Sequence, residues 1–516
     1  MPQTRSGHSV DWAQLATDLG YHDQAHLVRD FTTTIGQPPA HYAAGHPSPM
    51  ETCRRQRTRV AVHAVSFRPG PNRCPATVDR VLTDPTYTVP AVPPADTGVA
   101  WLRAHVARFS EGADHRRRRA LAEDFLAAVD AESLRRPGNP VANLAEALGL
   151  PRAVAAEVAV VARSYQPHTP VTEEADAAVA RLVAACGGGW DEATANRIGL
   201  LVQACDATIA LIVGRQPPVP VTRRVAPSGE TVEVDLADTP FGAGRHACPG
   251  REHAEALADG ALAFHRLHCG EQPLLLPNAW DFASAAALAG AGFPAVGTTS
   301  LGVAAAHGIP DAAGLTLAET LALARRLVRL PVPVTVDIEA GFGCDPHELA
   351  AQLWELGVAG VTIEDGRGAG LADPAEQARL VRGVKEGGPG LFVNARVDTH
   401  WLAVGQDSTI DRALRYVDAG ADGVFVPGLR DERGIAAVVD AVPAPVNVLA
   451  QLDIHTLAGL GVRRVSTGSL LFRAALGSAV TAARAVRDGE PVGHPLGYQE
   501  VQDLIVTATP RRSRPH

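Results

Sequence analysis

Three stretches decide the fold: VPVTVDIEAG at residues 332–341, GVAGVTIED at 357–365 and GLFVNARVD at 390–398. Each is a short apolar run rich in β-branched residues that ends in charge. Segments with apolar residues at helical spacing, such as DPHELAAQLWELG at 345–357, lie between them. Outward from this centre, LLLPNAW (274–280), PAVGTTS (294–300), ADGVFVPG (421–428), APVNVLA (444–450) and RRVSTGSL (463–470) repeat the strand pattern, and LTLAETLALARRLVR (315–329) supplies another helix. Eight strands alternating with helices predict an α/β chain with a (β/α)8 TIM barrel over residues 261–510. The runs read as near-continuous apolar strands, as expected where both faces of a parallel sheet are buried.

In such barrels chemistry sits at the C-terminal ends of the strands, and here those ends are polar. The first ends in Asn278, Trp280 and Asp281, the second in Thr299 and Ser300, the third in Asp337 and Glu339, the fourth in Glu364 and Asp365, and the fifth in Asn394, Arg396 and Asp398. The seventh carries Asn447 and the eighth ends in Ser466 and Thr467. Asp337, Glu339 and Glu364 on neighbouring strands, facing Arg396, suit a hard cation such as magnesium, which takes oxygen ligands and keeps several waters. Such a cation polarises a carbonyl and holds an enolate, and a guanidinium suits a bidentate grip on a substrate carboxylate. A lone Asp at a strand end is also often a helix N-cap, and Asp365 and Asp398 are open to that reading.

Composition narrows the classes. A chain of 516 residues exceeds one ordinary domain. Its formal net charge of -9 argues against a polyanion binder as a whole. No run of 18 or more apolar residues predicts a membrane span, and MPQTRSGHSVDWAQ lacks the apolar core of a signal peptide. Cysteines at 53, 74, 186, 205, 248, 269 and 344 form no CxxC pair, which reads as a reduced, cytoplasmic chain. Lys385 is the only lysine, so a Gly-Lys-Ser/Thr phosphate loop is excluded. It falls at a predicted helix C-terminus, where a cation complements the dipole.

PLLLPNAWDFASA (273–285), VGTTSLGVAAAHGIPD (296–311), VTVDIEAGFG (334–343), VTIEDG (361–366), LFVNARVDTH (391–400) and LGVRRVSTGSLLFRAA (460–475) resemble the successive blocks of the isocitrate lyase/phosphoenolpyruvate mutase superfamily. That resemblance implies a magnesium-dependent carbon–carbon lyase or phosphonomutase-like enzyme acting on a small 2-oxo acid. It implies that the Thr299–Ser300–Leu301 turn holds the oxo-acid end, with Trp280 and Asn394 also lining the substrate site. Asp311 and Ser300 would lie at the reacting centre, Asp337, Glu339 and Glu364 would hold magnesium, partly through water, and Arg396 would bind the carboxylate or stabilise the enolate. Members that cleave isocitrate or methylisocitrate carry a Lys-Lys-Cys-Gly-His loop after the fourth strand; here EDGRGAGLADPAEQ (364–377) has no Cys, Lys or His. The enolate branch remains: oxaloacetate decarboxylase or hydrolase, phosphonopyruvate hydrolase, or phosphonomutase-like chemistry. The resemblance also implies a homo-oligomer built by exchange of the last helix, GSLLFRAALGSAVTAARAV (468–486).

Residues 75–258 are rich in Ala and Arg and mostly helical in pattern, with a Pro-rich interruption, GRQPPVPVTRRV, at 214–225. Within them PFGAGRHACPGREHAEALADGAL (240–262) resembles the haem-binding loop of cytochrome P-450 monooxygenases. By that resemblance Cys248 is a haem thiolate ligand, His115 and Arg119 in GADHRRRRAL (112–121) contact the propionates, and LLVQACDATIALIVG (200–214) is the oxygen-activating helix. The region is shorter than that family's fold, has no Glu-x-x-Arg helix before the loop, and places Ala207 where the first Thr of the oxygen-handling pair belongs; Thr208 matches the second.

Residues 1–68 contain DWAQLATDLGYHDQAHLVRDFTTTIGQPPAHYAAG (11–45), which resembles one helix-turn-helix of AraC-type transcription regulators. Its second helix would carry His22, Gln24, His26 and Arg29 into a DNA groove. Seven Arg against five Asp and Glu over residues 1–70 give little charge for phosphate binding. Three functions therefore stand side by side: a 2-oxo acid enzyme, a haem-thiolate redox protein, and a ligand-sensing DNA-binding regulator.

Overall fold

The computed structural model describes residues 78–507. The helix-turn-helix expectation for residues 1–68 lies outside them. The described residues fall within one compact unit, so the helical region and the barrel pack as one body.

In the helical region, helices Gly98–His105, Pro140–Ala147, Val154–Arg163, Glu173–Ala185 and Glu192–Ile212 surround a core that includes Trp101, Leu102, Val158, Leu182, Ile198 and Leu201. The helix starts are chemically marked. Asn139 accepts from the Val141 and Ala142 N–H groups ahead of Pro140, and Thr172 and Asp191 cap the last two helices. Glu192–Ile212 is the one helix among the described residues long and apolar enough to cross a membrane by length and composition; here it is the central helix of this core, with Ile198 and Leu201 fully buried. The Pro-rich interruption opens an antiparallel hairpin, β1 (Val221–Val225) and β2 (Thr231–Asp235), within the mostly helical region. TVEVD alternates polar and apolar side chains after the Ser228–Gly229 turn, which is strand patterning, whereas VTRRV does not.

The barrel strands are β3 (Leu274–Leu276), β4 (Asn278–Ala279), β5 (Val296–Thr298), β6 (Val334–Asp337) and β7 (Gly360–Glu364). A small hairpin, β8 (Gly366–Arg367) and β9 (Gly370–Leu371), precedes β10 (Phe392–Arg396), β11 (Gly423–Phe425), β12 (Val446–Leu449) and β13 (Arg464–Ser466). The parallel order β3-β13-β12-β11-β10-β7-β6-β5-β4 closes on itself. β3 and β4 are halves of one strand broken at Pro277, which has no N–H for a ladder; β3 pairs with β13 and β4 with β5. Eight strands were expected, and eight are present in this sense.

The strands are not apolar throughout. Val334, Val336, Val361, Ile363, Val393, Ala395, Val446 and Val448 pack outward into the helix layer. The intervening Thr335, Asp337, Thr362, Glu364, Asn394, Arg396 and Asn447 face the interior, since successive side chains point to opposite faces. Runs that look continuously apolar in sequence are therefore period-two strands whose polar members line the barrel. Phe264, Leu274, Leu276 and Phe392 close the floor, with the His268 ring stacked on Phe392 at 3.9 Å.

The helical region docks on that floor. The helix Pro346–Leu356 ends there, and its terminal carbonyls need donors. Asn139 N–H donates to Trp354 O at 2.9 Å, and Arg152 donates to Glu355 O through Nε and Nη2 at 3.0 and 2.8 Å, setting a cation against the negative end of the helix dipole. Gly138 (φ +103°) is needed at this contact, because a Cβ there would lie 2.6 Å from Gly357 Cα. Lys385 does end the helix Pro374–Gly387, but it is buried, pairing with Asp422 at 2.7 Å and Leu391 O at 2.9 Å. Cys186, Cys205, Cys248 and Cys344 are free, whereas Cys269 is disulfide-bonded, a departure from the expectation of a fully reduced chain.

Candidate active site

Three consecutive strand ends build the head of the barrel. Asp337 closes β6, Glu364 closes β7 and Arg396 closes β10; the ladders place Arg396 beside Glu364 and Asp337 beside Thr362. Asp337 is held by backbone donors: its Oδ2 accepts from Ser300 N–H at 3.3 Å and its Oδ1 from Glu339 N–H at 3.1 Å. Ser300 is the first residue of the helix Ser300–Ala306, so a free N–H end of that helix points at the carboxylate. Thr298 Oγ1 accepts from Asp337 N–H at 2.8 Å and fixes the strand end.

Arg396 is shared. Its Nη1 lies 2.7 Å from Glu364 Oε2 and its Nε 2.7 Å from Asp398 Oδ1. The rings of Trp401 and Phe425 flank its guanidinium at 5.8 and 6.0 Å. Two protein carboxylates thus occupy Nε and Nη1 of the fork expected to grip substrate. Asp398 and Asp365 are not helix caps. Asp398 Oδ2 accepts from Gly366 N–H, and Asp365 takes Asp398 N–H on one oxygen and Tyr416 and Arg412 on the other, at 2.7 and 3.0 Å. This buried brace fixes Arg396 from behind.

One cation for so many carboxylates leaves charge unbalanced. Burial pushes the Asp337 and Asp398 carboxyls above their usual range, with Arg396 pulling back only in part. Burial likewise drives Glu364 up to about 8; Arg396 opposes this, while Asp337, Asp398 and Asp311 add to it. Arg396 itself is held firmly charged, because the three carboxylates outweigh its own burial.

The remaining expected residues divide. Asp311 is exposed on the loop after Ser300–Ala306, and its charge is felt at Asp337 and Glu364. Glu339 is not free to join a metal cluster directly: Gly314 N–H and Thr316 Oγ1 donate to its two oxygens at 2.8 and 2.6 Å. No group of three His, Cys, Asp or Glu side chains among the described residues is arranged to enclose a metal. Thr299 is buried as the N-cap of the Ser300 helix, and Leu301 lies in its first turn. The Trp280 ring packs edge-on against Phe472 and lines an apolar cavity of about 320 Å3 with Leu496, Val501 and Leu504, facing the terminal helices. Asn394 is buried one layer beneath Arg396. Trp401 and the Asp365–Arg412–Tyr416 brace were not singled out from sequence; Arg412 and Tyr416, at helical i,i+4 spacing, are the only trace of the brace there.

Residues 264–487 match the family described as phosphoenolpyruvate phosphomutase. Over 256 residues the chain is 46% identical to an uncharacterized protein of Mycobacterium tuberculosis, spanning 49% of this chain and 99% of that one. It is 32% identical over 207 residues to 2-methylisocitrate lyase of Halalkalibacterium halodurans, spanning 38% of this chain and 69% of the relative. Through its C-terminal half the chain belongs to the phosphoenolpyruvate phosphomutase family. This mutase family includes carbon–carbon lyases and phosphonomutases. An oxaloacetate decarboxylase of Pseudomonas aeruginosa is 32% identical over 192 residues, covering 32% of this chain and 64% of the decarboxylase. Among solved structures, a phosphoenolpyruvate phosphomutase from Streptomyces platensis subsp. rosaceus superposes with TM-score 0.45 at 23% identity, over 48% of this chain and 95% of that one.

The helical region ahead of the mutase-family barrel holds a cavity of its own, about 690 Å3. Its walls bring together residues far apart in sequence: His115 and Arg119, Ala207 and Thr208, the β1 strand, and Cys248 in the loop before the helix Arg251–Ala261. Cys248 N–H donates to Phe241 O at 2.9 Å, turning the loop so that the side chain lies open to the cavity. Burial raises the thiol pKa, against the pull of the Gly250 N–H, Arg119 and Arg108. Arg119 donates to Ala247 O beside the cysteine, and the His115 ring lies 4.2 Å from that of His246.

Proposed function

We propose that the barrel is a magnesium-dependent lyase or hydrolase that breaks a C–C or P–C bond next to a small 2-oxo acid through an enolate, in the manner of an oxaloacetate decarboxylase or phosphonopyruvate hydrolase. The observation that carries this is the excess of buried carboxylate over cation at Asp337, Glu364, Asp398 and Arg396. The donor set is all oxygen and suits magnesium, which Asp337, Glu339 and Glu364 would hold, partly through water. Magnesium would polarise the 2-oxo group and offset the charge that develops on its oxygen. The chain's own residues do the rest. The Thr299–Ser300–Leu301 turn would present backbone N–H groups to the oxo-acid end, Arg396 would orient the carboxylate, and Asp311, whose charge is felt at Asp337 and Glu364, would move a proton at the reacting centre. The loop after β7, tied down by Arg367 to Gln377 Oε1 at 2.9 Å, brings no thiol, amine or imidazole, which favours decarboxylation or hydrolysis over cleavage needing such an acid. Steady-state turnover of oxaloacetate, phosphonopyruvate and 2-methyl-substituted analogues, with and without magnesium, tests this. Metal-dependent turnover of one supports it, and no turnover of any by folded protein ends it. The exposed Leu470, Leu476, Val480 and Val486 on the helix Leu470–Asp488 favour association with a second copy.

A second reading rests on the 690 Å3 cavity. It brings together the residues the resemblance assigns to a haem: Cys248 would ligate the iron, and His115 and Arg119 would meet the propionates. Bound iron would supply one-electron chemistry and lower the thiol pKa that burial now raises. Reconstituted protein should give a thiolate-type Soret band in the reduced CO complex that Cys248→Ala abolishes. A band that is absent, or that survives the substitution, removes the reading.

A further inference from the structure

Barrels of this architecture fill their interior layers mostly with branched apolar side chains. Here the layer beneath the site is polar. Thr335, Thr362 and Asn394 stand two residues before Asp337, Glu364 and Arg396 on the same strands and therefore face the same interior. Asn394 Nδ2 reaches Thr362 Oγ1 at 3.4 Å, and Asn447 and Ser466 exchange hydrogen bonds at 3.1 and 3.2 Å. Arg464, the first residue of β13, enters this layer. It is 2% exposed. Its Nε donates to Ser466 Oγ at 3.2 Å, its Nη1 has no protein partner, and among the described residues it has no ion-pair partner. Thr335 Oγ1 and Asn394 Oδ1 are likewise buried without a protein partner. Orphaned polar atoms grouped in one layer are what ordered water satisfies.

A buried cation without a partner is costly, and a hydrophobic residue of similar volume is often more stable. The group whose charge reaches Arg464 is Asp337: burial pulls the guanidinium down to about 9, and Asp337 opposes it. Arg464 shares the interior layer of Thr335, two residues before the carboxylate that the proposed function assigns to the metal.

We propose that Arg464 is a positioning residue whose fixed charge, acting from beneath through a hydrated polar layer, sets the balance between divalent-cation and anion binding at Asp337. This rests on the reading of the barrel as a magnesium and 2-oxo acid site. A cation below Asp337 weakens the hold on a metal and strengthens the hold on an anion, so its removal moves the two affinities in opposite directions.

The test is calorimetric titration of the full chain with Mg2+, and with oxalate at saturating Mg2+. For Arg464→Met, Mg2+ binding tightens and oxalate binding weakens, each by roughly three- to tenfold, as expected for loss of one charge at this range. Arg464→Lys stays close to wild type in both. Affinities that fall together, or do not move, overturn the proposal. Thermal unfolding in metal-free buffer separates it from a structural role: Arg464→Met holds or raises the melting temperature, and a fall of many degrees overturns it. If the wild type binds no Mg2+, the metal reading fails, and the melting comparison still decides whether Arg464 is a charge kept at the expense of stability.

Discussion

One guanidinium serves three carboxylates at the head of the barrel, and the consequences are measurable at single residues. Asp337 carries no ion pair of its own and is oriented only by N–H donors, which leaves it available to a metal. Asp337→Ala should lower magnesium-dependent kcat by about 10^3-fold, roughly 4 kcal/mol of transition-state stabilisation, with the circular-dichroism spectrum unchanged; unchanged turnover would remove it from the mechanism. Glu364 gives a pH signature. Its folded pKa, about 8, lies above its ordinary value of 4.5, so its contribution to stability is full below about 4.5 and is lost as pH rises toward about 8. Metal-free protein should therefore melt at falling temperature across that window. Glu364→Gln should flatten the trend, and magnesium should offset it; a flat wild-type profile would contradict the charge imbalance. Strand-end positions made Asp337, Glu364 and Arg396 legible as a group. Asp365 and Asp398 were ambiguous, because capping and bracing use the same residue type and only packing against Arg412 and Tyr416 tells them apart.

At the scale of elements, the loop between Ser300–Ala306 and Leu317–Leu327 is anchored through Glu339. Glu339 takes the left-handed backbone conformation (φ 47°), with both carboxylate oxygens engaged by Gly314 and Thr316. Such a conformation carries strain that the surroundings must hold. Thr316→Val leaves a buried carboxylate oxygen short of a donor and should cost about 1–3 kcal/mol; limited proteolysis should cut this loop faster, and kcat/KM should fall because Asp311 rides on it. Unaltered proteolysis would mean the loop is held otherwise. Strand existence, order and burial on both faces are readable from sequence, whereas the polar layer inside the barrel is not. Thr335, Thr362 and Asn394 each interrupt an apolar run, but in strands of three to five residues that alternation is too brief to tell which buried face lines the interior. The β1–β2 hairpin was hidden by the prolines before it.

At the scale of the molecule, the apolar stripe on Leu470–Asp488 predicts association. Replacing Leu476 and Val480 together by Glu should lower the mass measured by light scattering while leaving the monomer folded, and an unchanged mass would show that the stripe is not an interface. The order of the cysteine loop, the His115–Arg119 pair and the Thr208 helix was legible as a resemblance, but the cavity they enclose is a product of tertiary packing that no local pattern reports. The backbone contact of Gly138 with Gly357 has a wider consequence. It grafts the helical region to the end of the barrel away from the catalytic mouth, and leaves the last helix clear. In any assembly joined through that helix, each copy would bring one helical-region cavity for every barrel. The two halves of the chain are thus bound in fixed stoichiometry, each with a cavity lining of its own.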